Sequence, residues 1–195
     1  MASTARYHHG DLGSTLVDAA LALVEAEGAA ALTLRAVARA AGVSPMAPYH
    51  HFADRAALVA AVAQRGFERL YTVKLAALAG TGADAAEALV AGTRAYVGFI
   101  LDNPELYRLM KGPELADRAA HPGLAAAAAL PAAKLAELIA ALGPLSVSPE
   151  AAAHSLWSFS HGLGILAIDG YGGGRERTLH LAGVGAAALL AGFAA

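Results

Sequence analysis

The chain has 195 residues, with 14 Lys and Arg against 16 Asp and Glu, which gives a formal net charge of −2. Because 57 % of the residues are hydrophobic and 15 % are charged, a disordered polyelectrolyte is excluded and one or two compact modules are expected. The lack of cysteine excludes disulfides, zinc sites built on thiolates and a thiol nucleophile.

The composition and the spacing of apolar residues predict an all-α fold. Alanine runs such as residues 125–129 favour helices, although each alanine buries little apolar area. Valine, isoleucine and threonine never gather into the alternating runs of a β-strand. We therefore expect helices that pack closely through small side chains.

Two helices are predicted at the N-terminal end. The first has an apolar stripe between about residues 11 and 29, and Gly28 ends it. Thr33 is suited to cap the second helix, and Gly42 ends that helix because glycine readily adopts the positive φ of a helix stop.

A very short third helix and a long fourth helix are expected next. Ser44 is predicted to cap the third helix, with Pro45 as its first residue, and this helix reaches only to about His51. Asp54 is expected to cap the fourth helix, which runs to about Leu78. Glycines beyond that point mark the turn between two modules.

The second half continues as helices separated by glycine and proline. Asn103 is expected to cap a helix that begins at Pro104, and Gly112-Pro113 ends that helix. The helices predicted for this half are residues 84–102, 103–111, 124–142 with a bend near Pro131, 148–169 and 175–193.

Residues 33–52 indicate a helix-turn-helix motif. Ala38 is small enough for two helices to cross closely, Gly42 supplies the left-handed turn, and Val43 fills the angle between the helices. The third helix has no Arg, Asn or Gln, so contacts with thymine methyl groups or readout of DNA shape are favoured over a guanine contact. The residues that this helix would present to the major groove are Ser44, Pro45, Met46 and Ala47.

The sequence YHHFADR at residues 49–55 resembles the Y-x-H-F-x-x-K/R signature of the tetracycline-repressor (TetR) family of bacterial transcription regulators. The resemblance extends to YHHGDL at residues 7–12 and to TLRAVARAAGVS at residues 33–44. It implies a DNA-binding domain over residues 10–70, with the helix-turn-helix motif at 33–52. It also implies an effector-binding and dimerisation domain over residues 84–195.

The resemblance implies particular DNA contacts. Tyr49 and His51 would contact phosphates, Phe52 would lock the recognition helix onto the core, and Arg55 would approach the DNA backbone. The complete set of candidate DNA-contacting residues is Thr33, Arg35, Ser44, Pro45, Met46, Ala47, Tyr49, His50, His51 and Arg55.

The sequence WSFSHG at residues 157–162 resembles a subgroup of the family that has a Trp-His-Gly motif in its C-terminal domain. In the family, the last two helices form a four-helix bundle with the same pair of a second subunit, so a homodimer is implied. Gly183 and Ala186 are expected at that interface. The candidate ligand-pocket residues, each of which has core packing as its alternative role, are Tyr96, Phe99, Tyr107, Met110, Trp157 and His161.

These observations favour a transcriptional repressor that binds a palindromic operator in double-stranded DNA as a dimer and is released by a small molecule. A helical ligand-binding or adaptor protein with weakened DNA binding remains an alternative, because a surplus of basic residues normally attracts phosphates. Residues 1–55 lack that surplus, since they contain Arg6, Arg35, Arg39 and Arg55 against Asp11, Asp18, Glu25, Glu27 and Asp54.

An enzyme is not expected, because the sequence contains no G-x-S-x-G elbow, phosphate-binding loop or H-E-x-x-H motif. No cofactor or metal is expected either, since the adjacent histidines at 8–9 and 50–51 point about 100° apart on a helix and lack further ligands. A cytoplasmic protein without a membrane partner is predicted. The N-terminus has no apolar secretory segment, and residues 181–195 fall short of the roughly 20 residues that span a bilayer.

Overall fold

The computed structural model describes residues 12–195 and confirms the predicted all-α fold, with no β-strand in that range. Residues 7–11 of the YHHGDL motif, including His8 and His9, lie outside the described residues. The helices are α1 Leu12–Glu27, α2 Leu34–Ala40, α3 Arg55–Leu78, α4 Ala85–Asp102, α5 Pro104–Lys111, α6 Pro122–Ala140, α7 Pro149–Leu166 and α8 Arg175–Phe193.

Two predicted helix caps are present, and a third cap lies at Ser148, where a helix was predicted to begin. The Thr33 hydroxyl oxygen accepts a hydrogen bond from the Ala36 amide at 3.1 Å, at the start of α2. Asp54 accepts from the Ala57 amide at 2.8 Å at the start of α3, and Ser148 caps α7 in the same way. Each of these side chains satisfies an amide that has no partner within its helix.

The prediction of an α-helix for the third helix is wrong. The chain instead forms a 3₁₀ turn over Ala47–His50. Its bonds run over three residues, for example from the Tyr49 amide to the Met46 carbonyl oxygen at 3.2 Å. Pro48 has no N–H to donate to the carbonyl of Ser44, so an α-helical bond cannot form there. The Ser44 side chain consequently does not cap this turn.

Asn103 is the N-cap residue of α5, which begins at Pro104 as predicted, but its side chain does not cap that helix. Its side-chain amide instead donates to the Phe99 carbonyl oxygen at 2.9 Å, at the end of α4. In the second half, α6 continues through Pro131. The C-terminal part of the predicted helix 148–169 is a π turn, Ala167–Tyr171, that contains Gly170 at a φ of 96°.

A continuous core joins the helix-turn-helix to the second half. It contains residues of α1, α2 and α3 together with Tyr107 and Met110 of α5, both of which have no exposed surface. A second cluster, built around Leu89, Ile139 and Leu156, joins α4, α6, α7 and α8. The 24-residue α3 passes from the recognition turn into the second half, so the two predicted domains share a helix.

Among the described residues, α6 is the one helix that is long and apolar enough to cross a membrane by length and composition. It packs against α3 and α7. Leu124, Ala127, Pro131 and Ile139 are the buried residues of this 19-residue helix, so α6 packs along one face.

The two residues predicted at the dimer interface, Gly183 and Ala186, do not lie on the exposed face of α8. Ala186 is fully buried, and a Cβ added to Gly183 would collide with the Arg94 side chain of α4, so both residues face the interior of the protomer. The exposed large apolar residues of α7 and α8 are Trp157 at 38 %, Leu166 at 53 %, Leu181 at 38 % and Val184 at 51 %.

Candidate DNA-binding surface and ligand cavity

The recognition turn is exposed along most of its length. Met46 is 61 % exposed and Tyr49 is 46 % exposed, whereas Pro48 and Phe52 are buried and hold the turn against the core. Burial of one side of the turn therefore fixes the position of the other side. The predicted DNA-contacting residues that are exposed are Thr33, Arg35, Ser44, Pro45, Met46, Tyr49, His50 and His51, and Ala47 is half-buried.

Arg55 makes its contacts within the protein. Its Nε donates to the Leu32 carbonyl oxygen at 2.8 Å and its Nη2 donates to the Ala29 carbonyl oxygen at 3.1 Å. Its Nη1 pairs with Glu114 at 2.5 Å. Arg55 thus joins the segment before α2 to the segment after α5, and its predicted approach to the DNA backbone stays a prediction.

Ion pairs neutralise two acidic side chains of the N-terminal module. Asp18 pairs with Arg65 at 2.9 Å and Glu25 pairs with Arg69 at 3.2 Å, so arginines of α3 neutralise two acidic side chains of α1. Arg35 on α2 is exposed and forms no ion pair with the acidic residues of the described chain. Residues 10–70 contain five arginines against six Asp and Glu, so the module as a whole has no surplus of positive charge.

A cavity of about 650 Å³ lies between α3, α4, α6 and α7. Of the predicted pocket residues, Tyr96 and Trp157 line it. Phe99 lines a second cavity beside α8. Tyr107 and Met110 are fully buried behind the wall, and half-buried His161 is also absent from the lining. The predicted set therefore contains residues that line the cavity and residues that lie behind its lining.

A chain of hydrogen bonds stiffens this wall. The Trp157 Nε1–H donates to the Tyr96 hydroxyl at 3.2 Å, the Tyr96 and Tyr107 hydroxyls are 2.5 Å apart, and the Tyr107 hydroxyl lies 2.7 Å from His161 Nδ1. The indole N–H can only donate, so the Tyr96 hydroxyl accepts from Trp157, while either hydroxyl can donate in the Tyr96–Tyr107 bond and the tautomer of His161 sets the donor in the Tyr107–His161 bond. The four side chains thus form one continuous hydrogen-bonded chain.

The buried groups of this chain stay neutral. Burial raises the pKa of Tyr107 and of Tyr96, so both remain neutral phenols. Burial, followed by the positive charge of Lys111, lowers the pKa of His161 and favours the neutral imidazole.

Three cations line the cavity, and the sequence interpretation missed them: Lys74, Lys111 and Arg118. Lys74 is only 8 % exposed. A signal for it was available, because Val62, Gly66 and Leu70 are buried at four-residue steps and Lys74 continues that stripe. Arg118 lies in an irregular segment, where helical periodicity gives no information.

The ligand-free protein is expected to become more stable as the pH rises from 8 to 10. Burial lowers the pKa of Lys74 and Lys111 to about 8 from an ordinary value of 10.5. Within this window the unfolded chain binds more protons than the folded chain, so the free energy of unfolding increases with pH. Above about pH 10 the buried tyrosines reverse the trend, because tyrosine ionises more readily in the unfolded chain.

Thermal unfolding at several pH values measures this effect. The rise in melting temperature between pH 8 and 10 should disappear in the double variant Lys74→Met/Lys111→Met. An equal rise in the parent and the double variant would show that these lysines are not its cause.

Among residues 12–195, no group of three His, Cys, Asp or Glu side chains could hold a metal ion. The fold thus joins an exposed recognition turn to a helical module that encloses a cavity. Residues 16–62 match the model of bacterial regulatory proteins of the tetR family, and residues 89–182 match a tetracyclin repressor-like C-terminal domain. The chain belongs to the tetR family.

Solved structures share the complete fold. A protein of unknown function from Rhodococcus sp. RHA1 is 30 % identical, with 98 % of this chain and 100 % of that chain covered and a TM-score of 0.84. A regulatory protein of the tetR family from Rhodococcus RHA1 is 22 % identical, with 98 % of each chain covered and a TM-score of 0.68. The regulator PfmR from Thermus thermophilus is 20 % identical, with 91 % and 97 % covered and a TM-score of 0.68. No curated protein matched the chain.

Membership in the family bears on enzymatic activity and on the general classes of binding partner. Regulators of this family are non-enzymatic DNA-binding proteins, so the enzyme interpretation is excluded. Their fold implies operator DNA, a small-molecule effector and a second subunit as partners in general. The Trp-His-Gly subgroup stays a prediction, because the matched models do not test it.

Proposed function

We propose that the chain is a repressor that binds a palindromic operator as a dimer and releases it when a small molecule enters the cavity. The DNA-binding domain is residues 10–70 and the effector-binding and dimerisation domain is residues 84–195. The observation that carries this proposal is the path of α3. It begins at Arg55, just after the recognition turn, and its later residues Phe67, Leu70 and Lys74 line the cavity.

A second connection between the cavity and the recognition turn supports release by a ligand. Glu114 lies between Lys111 and Arg118, which both line the cavity, and it pairs with Arg55. A ligand that moves this segment therefore acts on the start of α3 and on the carbonyls of Leu32 and Ala29, which Arg55 holds before α2. Such a shift changes the separation of the two recognition turns in a dimer, which must match successive major grooves about 34 Å apart.

The side chains of the recognition turn support two kinds of DNA contact, one with phosphates and one with base edges. Tyr49 and His51 are exposed and would hold phosphates, whereas exposed Met46 and half-buried Ala47 would offer apolar groups to base edges. The protein is proposed to act in the cytoplasm, where its operator is, and to require no cofactor.

Selection of bound fragments from random double-stranded DNA by the purified protein tests the proposal. Enrichment of one palindromic sequence is expected. Failure to enrich any sequence would instead favour a ligand-binding or adaptor protein whose DNA binding is weakened.

Tyr49→Phe is expected to weaken binding to good and poor operators by the same factor, about three- to tenfold, because one hydrogen bond to a phosphate is lost. Met46→Ala is expected to change which bases are preferred, since it alters an apolar contact with base edges. Affinities for a panel of single-base operator variants measure both effects. A loss confined to one base position in Tyr49→Phe would contradict the phosphate assignment.

A further inference from the structure

Two of the cavity's cations lie beside the same aromatic ring. Lys111 Nζ is 5.2 Å from the centroid of Phe67, and the guanidinium carbon of Arg118 is also 5.2 Å from it. Lys111 Nζ is in addition 5.4 Å from the ring centroid of Trp157. The two positive groups thus lie beside the same lining residue and close enough for Arg118 to lower the pKa of Lys111, although like charges repel.

No acidic side chain of residues 12–195 pairs with Lys74, Lys111 or Arg118, although eight ion pairs hold other charges of this chain. Lys74 is almost completely buried, and its ammonium group lies 5.9 Å from the ring centroid of Tyr96. Aromatic faces attract cations, but they replace only part of the hydration that burial removes. The cavity therefore contains positive charge that the protein does not neutralise.

The rest of the lining is mainly apolar. Glu150 is the one acidic residue that the described chain contributes to it, and Glu150 is solvent-exposed in the first turn of α7. The volume of about 650 Å³ is that of a site for a small organic ligand. The apolar lining residues, which would cover the body of such a ligand, include Leu70, Leu89, Ala132, Leu135, Ala136 and Leu156.

We infer that the cavity binds a monocarboxylate with an apolar body, and that Lys111 and Arg118 bind its carboxylate. This inference rests on the proposed function, because it names the chemical class of the effector for the same cavity. A bound anion would neutralise these cations, which no acidic side chain of the described residues does. Arginine also matches a carboxylate in geometry as well as in charge. The lowered pKa of Lys111, caused first by burial and then by Arg118, agrees with a group that an anion would stabilise.

Three probes with the same ten-carbon tail test the inference: decanoate, 1-decanol and decyltrimethylammonium, whose head groups are negative, neutral and positive. Trp157 is the single tryptophan of the chain and lines the cavity, so its fluorescence reports binding without DNA. At pH 7, below the micellar concentrations, decanoate is expected to bind at least about tenfold more tightly than decanol, as a charge-assisted contact implies. Decyltrimethylammonium is expected to bind more weakly than decanol.

Lys111→Met keeps the length and apolar character of the side chain and removes its charge. In this variant the preference for decanoate over decanol should fall by about tenfold, while affinity for decanol stays the same. Arg118→Met provides a second, independent variant. Lys134→Met removes a lysine that pairs with Glu137 on the same helix outside the cavity lining, and should change neither affinity.

Equal binding of decanoate and decanol, tighter binding of the cationic probe, or binding of none of them by folded protein would overturn the inference. So would an undiminished preference for decanoate in both Lys111→Met and Arg118→Met. Release of DNA is measured separately on the selected operator. Selective binding of decanoate without any effect on operator affinity would uphold the ligand class and refute the proposed coupling.

Discussion

Val184→Glu is expected to produce a monomer that binds a palindromic operator about 10²- to 10⁴-fold more weakly than the parent protein, because it loses the second, linked half-site contact. Val184 is 51 % exposed in the middle of α8, and Leu181 of the same helix is 38 % exposed. In a dimer built from the last two helices, each subunit would bury the new carboxylate against an apolar surface. An unpaired buried charge destabilises an interface by about 3–5 kcal/mol, and a symmetric dimer would contain two such charges.

Light scattering and operator binding at equal protein concentration measure this effect. Ala133→Glu, at an exposed position of α6, is the matched control and should remain dimeric. The choice of Val184 matters, since Ala186→Glu would place a charge in the fully buried interior of the protomer and confuse loss of the dimer with loss of the fold. A dimeric Val184→Glu protein would place the interface on another surface.

Tyr107→Ala is expected to lower the free energy of unfolding by about 3–5 kcal/mol, as do other large aromatic truncations in a core. Tyr107 has no exposed surface and its ring packs edge-on against Tyr96, with 6.0 Å between the ring centroids. Its removal also leaves the Tyr96 hydroxyl and His161 Nδ1 without their shared partner. A loss of this size is a large part of the roughly 5–15 kcal/mol that stabilises a typical protein.

Urea unfolding followed by circular dichroism, at one protein concentration, measures the loss. Tyr171→Ala is the matched control because Tyr171 is 80 % exposed, and it should change the stability by no more than about 0.5 kcal/mol. Tyr107→Phe should lie between the two, since it keeps the ring and removes only the hydroxyl. Equal stabilities of Tyr107→Ala and Tyr171→Ala would contradict the structural role of this side chain.

Local features of the chain were predictable from the sequence because their physical causes are local. A hydroxyl or carboxylate before a helix can reach an amide two or three residues away, so Thr33, Asp54 and Ser148 identified three helix starts. Gly42 identified the end of α2 in the same way, with a φ of 67°. The recognition turn was predicted as an α-helix but is a 3₁₀ turn, because Pro48 has no backbone N–H to donate in an α-helical hydrogen bond.

The candidate DNA-contacting residues were found together because they lie in one short stretch of sequence around the turn. Arg55 shows the limit of that reasoning. Its place at the start of α3 was predicted, but its partners Leu32 and Glu114 lie 23 and 59 residues away along the chain. Sequence spacing gives the helix face of a residue and does not reveal which distant carbonyl or carboxylate meets it.

Only the tertiary structure decided the character of the cavity and the orientation of the last helix. Lys74, Lys111 and Arg118 come from three separate segments, and they meet because α3, the end of α5 and the segment before α6 pack around one space. On α8, Gly183 and Val184 are neighbours, yet one packs against α4 and the other is exposed. Alanine and glycine on several faces of that helix leave its orientation open, since the hydrophobic pattern is too weak to select one face before the other helices are in place.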